Sequence, residues 1–202
     1  MTTEHQLAET DARLTIEVAQ LYPRQGGWTE ADYLALPDTN RLIELSEGTL
    51  IMTPHPTNRH QQIVGALYRA LYAFVSAHDL GIVRFAPLPV RLWPGQIREP
   101  DLLFVAHNHA DRIAEQVFGP PDLVMEVTSP HTEITDRRDK VSEYARAGIA
   151  EYWIIDPDDQ TVEVFVLRQA AYERLGEWRR GELARSVLLD GFEIAVDALF
   201  AP

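Results

Sequence analysis

The chain has 202 residues, enough for one domain with a sizeable core, and its 46% hydrophobic and 24% charged content is ordinary for a globular protein. No apolar stretch approaches the roughly 20 residues that span a bilayer, and the start MTTEHQLAETDARLT lacks the basic-then-apolar pattern of a secretory signal, so a cytoplasmic location away from membranes is expected. The absence of cysteine excludes disulfides, thiolate zinc sites and cysteine nucleophiles, and a formal charge of −13 argues against the broad basic footprint of a tight nucleic-acid binder.

Residues 1–20 carry little pattern and read as a flexible N-terminal arm, with 21–202 as a single domain. In WTEADYLALP, Thr29 is an N-cap with Asp32 three residues on and a stop before Pro37, which predicts a short helix. NRLIELSEGTLIMTP gives two strand-like runs around Ser46-Glu47-Gly48, a hairpin with Glu44 in its first arm. From Thr57 to Ala77, Ile63, Leu67, Ala70, Leu71 and Phe74 recur at helical spacing and predict a long amphipathic helix packed on a sheet. GIVRFAPLPVRLW and EPDLLFVA read as strands separated by a turn at Trp93 to Gln96. PDLVMEVTS reads as a central strand covered on both faces. A helix is expected from about Thr135 to Ala147, closed by Gly148, with Arg146 in its last turn. EYWIIDP and TVEVFVL give two more strands around Asp156 to Gln160, and the remainder predicts another strand or two and a short closing helix. This order fits an α/β fold, a mixed sheet flanked by helices.

Three carboxylates stand in apolar strands: Glu44 in LIEL, Asp101 in PDLLFV and Glu126 in LVMEV. An ionised carboxylate buried without a partner is costly, so each needs one, and three such acids point to a shared cation. The period of two puts Val124, Glu126 and Thr128 on one face, and the Val127 carbonyl is a further oxygen ligand. Hard divalent ions take carboxylate, carbonyl and water oxygens, bridge phosphate oxygens and activate water. The ordinary alternative is that each acid caps a strand end, faces solvent at an edge or pairs with Arg41, Arg98 or Arg138. Asp136, Lys140 and Tyr144 follow at a spacing of four, on one helical face. Lys140 is the only lysine beside 17 arginines, and its compact ammonium suits a hydrolytic water better than arginine's planar fork; a surface ion pair with Asp136 is the bland reading.

REPDLLFV, PDLVMEVTSP and DRRDKVSEYARAGIAEYWIIDP closely resemble the Uma2 family of restriction-endonuclease-like proteins, within the PD-(D/E)XK nuclease superfamily; the match is specific over 98–157 and looser over about 28–200. The resemblance implies a restriction-endonuclease-like α/β core and DNA as substrate. It also implies Mg²⁺, or Mn²⁺, held by Asp101 and Glu126 with Val127 beside them, Glu44 as an additional acid and Lys140 as the activating lysine. The superfamily motif usually has lysine two positions after the glutamate; here that residue is Thr128, and Lys140 resembles a lysine migrated to the adjacent helix. His60, Arg137 and Tyr144 are expected substrate contacts.

Asp122 also follows a proline and ranks second to Asp101. AHNHA, residues 106–110, is set aside because HNH enzymes place those letters far apart. Arg137, Arg138 and Arg146, with Arg174, Arg179, Arg180 and Arg185, offer a local phosphate-binding rim or a solvated face. The leading expectation is a Mg²⁺-dependent endonuclease acting as a homodimer on DNA. The alternative, motivated by Thr128 and the charge, is an inactive nuclease-fold binding or regulatory module; a sugar hydrolase with paired carboxylates ranks last because it gives Lys140 no role.

Overall fold

Thr29 opens the first helix among the described residues, α1 (Glu30–Leu34), through the expected capping box: its hydroxyl accepts the Asp32 N–H and the Asp32 carboxylate accepts the Thr29 N–H. The computed structural model describes residues 22–37, 42–129, 132 and 135–201, so the arm expected at 1–20 and Arg41 lie outside the described residues. The hairpin forms as β1 (Ile43–Ser46) and β2 (Thr49–Met52), antiparallel, with Ser46 opposite Thr49. Glu47 and Gly48 between them have φ of 48° and 75°, the turn whose twist matches paired strands. Glycine is required at 48 because a Cβ there would sit 2.7 Å from the Gly26 carbonyl oxygen.

The long helix α2 (Asn58–Ala77) is capped by Thr57, whose hydroxyl accepts the His60 N–H. Ile63, Val64, Leu67, Leu71 and Val75 form its buried stripe. The run over 81–93 does not make one strand as expected. Pro87 and Pro89 have no N–H to give a ladder, and the run divides into β3 (Gly81–Phe85) and β4 (Val90–Trp93). A short β5 (Gln96–Arg98) then precedes β6 (Leu102–Ala106); three residues carry too little periodicity to be seen in sequence.

The expected central strand is β7 (Leu123–Val127), buried at all five positions. The helix expected over 135–147 is not uniform: Thr135–Asp139 winds as a wider π-helical turn, and α3 (Lys140–Arg146) continues from it. Gly148, at φ 79°, closes α3 in the αL conformation, with the Ile149 N–H bonded to the Tyr144 carbonyl at 3.1 Å. Then come β8 (Glu151–Asp156), β9 (Thr161–Arg168), β10 (Ala171–Trp178), β11 (Leu183–Arg185), β12 (Glu193–Ala195) and the closing helix α4 (Val196–Phe200).

Six strands build the main sheet in the order β10-β9-β8-β7-β6-β3, and it is mixed: β7 and β8 run parallel, joined through α3, while every other pair is antiparallel. One face packs Met125, Trp153 and Val164 against Leu67 and Leu71 of α2 and Leu199 of α4. The other packs Val124, Tyr152 and Ile154 against Tyr144 of α3. A smaller antiparallel sheet, β2-β1-β5-β4, lies alongside. The chain passes from β5 of the small sheet to β6 of the main one through Glu99-Pro100-Asp101, and this joint sets the position of the acids.

Candidate active site

Glu126 lies on the face of β7 that looks toward α3, and one turn of that helix supplies both of its main partners. Its Oε1 accepts bonds from Lys140 Nζ at 2.8 Å and Tyr144 Oη at 2.7 Å. Asp101, at the joint, faces the same strand end: its Oδ2 accepts the Val127 N–H at 2.8 Å and lies 3.1 Å from His60 Nε2. The Asp101 N–H in turn points at Glu126 Oε2, 3.5 Å away.

Lys140 is buried, 6% exposed, so its pair with Asp136 is no surface ion pair. Its Nζ lies 3.0 Å from Asp136 Oδ1 and 3.9 Å from Glu44 Oε1. Glu44 itself takes Arg98 Nη1 at 2.7 Å and the Glu99 N–H at 3.1 Å, while Arg98 forks onto Glu143 with two further bonds of 2.7 Å. The ordinary alternative for Glu44, an arginine partner, is thus also present, because β1 and β5 are neighbours in the small sheet.

These carboxyl groups share one pocket of about 570 Å³, lined by Glu44, Glu99, Asp101, Glu126 and Asp136 together with Lys140 and, at the first turn of α2, Arg59 and His60. Burial, with Asp101 and Asp136 close by, pushes the Glu126 carboxyl up to about 8 against the pull of Lys140. Burial also lifts Glu99 to about 7, with Glu44 adding to the effect and the Tyr33 hydroxyl, 3.0 Å from Oε1, opposing it. For Lys140, burial works downward, but Glu126, Asp136 and Glu44 outweigh it and hold the ammonium well above the usual lysine value. His60 is raised in the same way by Asp101 and Glu126 against its burial. In Glu44 burial works upward, and Lys140 and Arg98 bring the carboxyl below its ordinary value.

Among the described residues, five buried side-chain polar atoms have no hydrogen-bond partner, and four belong to this pocket: Thr53 Oγ1, His60 Nδ1, Glu99 Oε2 and Asp136 Oδ1, the last held only by its ion pair with Lys140. Such groups are completed by water or ligand. No three His, Asp or Glu side chains among the described residues converge into a metal cage by themselves. The donor chemistry nonetheless fits Mg²⁺, which takes one or two carboxylates from a protein and keeps water or phosphate for the rest of its shell. Asp101 and Glu126, with the Val127 carbonyl, are the residues of that description. Glu44 has both oxygens engaged, so a share in a metal site requires it to exchange one of those bonds.

The other sequence candidates fall elsewhere. Tyr144, expected to touch substrate, is fully buried and meets Glu126 instead. Arg137 bonds Asp156 at 2.9 Å and also Glu163, both on neighbouring strands. Asp122 is at the opposite end of β7, bonded to the Ala106 N–H at 2.8 Å and His109 Nδ1 at 2.6 Å, which also accounts for the second histidine of AHNHA. Arg174, Arg179 and Arg180 pair with Glu163, Glu177 and Asp197 on the surface rather than forming a free rim. Glu99 and its partner Tyr33 were not foreseen: they are 66 residues apart, and no local pattern connects them.

A family model described as "Putative restriction endonuclease", Uma2, matches residues 30–197. Among solved structures, one described as a "putative nuclease belonging to DUF820 from Anabaena variabilis ATCC 29413" superposes with a TM-score of 0.73 at 22% identity, covering 85% of this chain and 97% of that one. No curated protein matches the sequence. Among the described residues, no helix is long and apolar enough to cross a membrane.

Proposed function

The chain belongs to the Uma2 family, and from that premise we propose that it is an endonuclease hydrolysing DNA phosphodiester bonds with Mg²⁺, or Mn²⁺, at the Asp101–Glu126 pair. The observation that carries this reading is the 2.8 Å contact of Lys140 Nζ with Glu126 inside a pocket rich in carboxylates. Bound there, the metal supplies Lewis-acid polarisation of a phosphoryl oxygen and a water of lowered pKa. Asp101 and Glu126 would hold it, with the Val127 carbonyl alongside.

The rest is the work of this chain's own side chains. Lys140, kept as an ammonium by three acids, orients the attacking water and offsets charge developing on the phosphoryl group. Asp136 and Glu44 fix the ammonium from either side, and Tyr144 fixes the Glu126 carboxylate, so neither group must reorganise during the reaction. His60, beside Asp101 in the pocket lining, would meet a phosphate oxygen as a donor. A module without turnover is motivated by Thr128 in the usual lysine position and by the formal charge of −13; Lys140 reaching Glu126 from the helix weakens the first of these.

The test is calorimetric titration of Mn²⁺ into the wild type and Asp101→Ala, followed by cleavage assays on the same preparations. Metal-dependent cleavage and metal binding both lost in the variant support the reading. Metal binding unchanged by Asp101→Ala, or cleavage that survives it, sinks it.

A further inference from the structure

Acidic residues are unevenly spread along the chain. Between Glu47 and Glu99 there is one acid, Asp79, against five arginines, although the whole chain carries 31 acidic and 18 basic residues. Helix α2 and strand β3 both fall in this stretch, and neither contains an aspartate or glutamate.

Their shared outer surface exposes aromatic rings. Tyr72 is 49% and Phe85 50% exposed among the described residues. Tyr68 joins them, stacked on Tyr72 at 5.5 Å between centroids and edge-on to Phe85 at 4.9 Å. Gly65, Tyr68, Arg69 and Tyr72 share one face of α2 by their spacing. The Arg69 guanidinium folds back over Gly65, where a Cβ would lie 3.4 Å from its Nη1. No carboxylate pairs with Arg69 among the described residues, whereas Arg84 leaves β3 on the face opposite Phe85 and bonds the Val83 carbonyl. Among the described residues β3 is the last strand of its sheet, and no further strand pairs with its outer edge.

Helix α2 connects the patch to the pocket. α2 starts at the pocket with Arg59 and His60, and Tyr68 lies about 12 Å further along the helix axis at 1.5 Å per residue. From the other side, the residue after Phe85 gives its N–H to the Asp101 carbonyl at 3.1 Å.

An unpaired nucleic-acid strand offers what this surface takes: base faces for the rings and a phosphate for the arginine. A duplex keeps its base faces inside its own stack and would engage the arginine alone. Resting on the nuclease reading above, we infer that the strand to be cut meets this enzyme unpaired, with bases stacked on Tyr68, Tyr72 and Phe85 and a phosphate against Arg69. The substrate class is single-stranded or locally unpaired DNA.

The experiment is fluorescence anisotropy in EDTA with a labelled oligothymidine and a duplex of equal length. It compares the full-length wild type with a Tyr72→Ala/Phe85→Ala variant and an Arg69→Ser variant, each checked by thermal melting. Without metal, binding is read apart from cleavage, so a protein that binds in this manner but never cuts counts against the nuclease reading and not against the strand surface. The wild type is expected to prefer the single strand. The aromatic variant weakens that binding about tenfold while moving duplex binding less than about twofold, and the arginine variant shows a shallower salt dependence. Equal affinity for both forms, no binding of either, or single-strand affinity unchanged in the aromatic variant overturns the inference. So does a wild-type dimer that the aromatic variant converts to monomer, which assigns the patch to a second copy of the chain.

Discussion

Glu126 is tolerated within an apolar strand because two donors from one helix turn, Lys140 and Tyr144, meet a single carboxylate oxygen. Even so, burial keeps its proton affinity high, with the carboxyl raised to about 8. Glu99 is the simpler case of the same physics, since its carboxyl is raised to about 7 with a neutral hydroxyl, Tyr33, bonded to Oε1. A carboxyl raised above its unfolded value favours the fold while protonated in both states, and that contribution is lost as pH rises through the folded value. Between about pH 4.5 and 7, therefore, stability falls as Glu99 ionises in the unfolded chain while the folded protein keeps its proton. Glu99→Gln cannot ionise and still accepts the Tyr33 bond. Melted in EDTA, the variant is expected to match the wild type at about pH 4 and to exceed it by about 3 °C at about pH 8, from roughly 1 kcal/mol after allowing for solvent screening. A gap that is the same at both pH values would show that ionisation of Glu99 is not its source.

At the scale of elements, α2 both covers one face of the main sheet and carries His60 to the pocket. Leu67, in the middle of its stripe, is fully buried. Leu67→Ala is expected to lower stability by about 2–5 kcal/mol in urea unfolding, and a loss below about 1 kcal/mol would mean that the helix packs more loosely than its stripe implies. This stripe, the Thr29 capping box, the turn at Glu47-Gly48 and the continuous apolar run of β7 were legible because each is written in neighbouring residues. The division of 81–93 into two strands is also written there, in Pro87 and Pro89, whose missing N–H groups interrupt a ladder that the apolar character alone implies. The small sheet was not legible as such. Pairing β1 with β5 brings together Leu45 and Ile97, 52 positions apart, and that pairing selects Arg98, among Arg41, Arg98 and Arg138, as a partner of Glu44. In the site, the spacing of Asp136, Lys140 and Tyr144 gave their shared face correctly but not its burial, which turned Tyr144 from an expected substrate contact into a support for Glu126.

Over the whole molecule, the formal charge of −13 stops being an argument against DNA once its distribution is considered. Several of the acids are spent within the fold, on Arg98, Arg112, Arg137 and Lys140, and helix α2, which starts at the pocket, contains none. The central claim is that a carboxylate pair and a lysine from different elements form one hydrolytic site. It is tested most directly by nicking of supercoiled plasmid in Mg²⁺ and in Mn²⁺, with wild type, Glu126→Ala and Lys140→Ala purified identically. Conversion by the wild type that falls about 100-fold or more in both variants is the predicted result; equal conversion by all three proteins, or a Lys140→Ala enzyme as fast as the wild type, would contradict it.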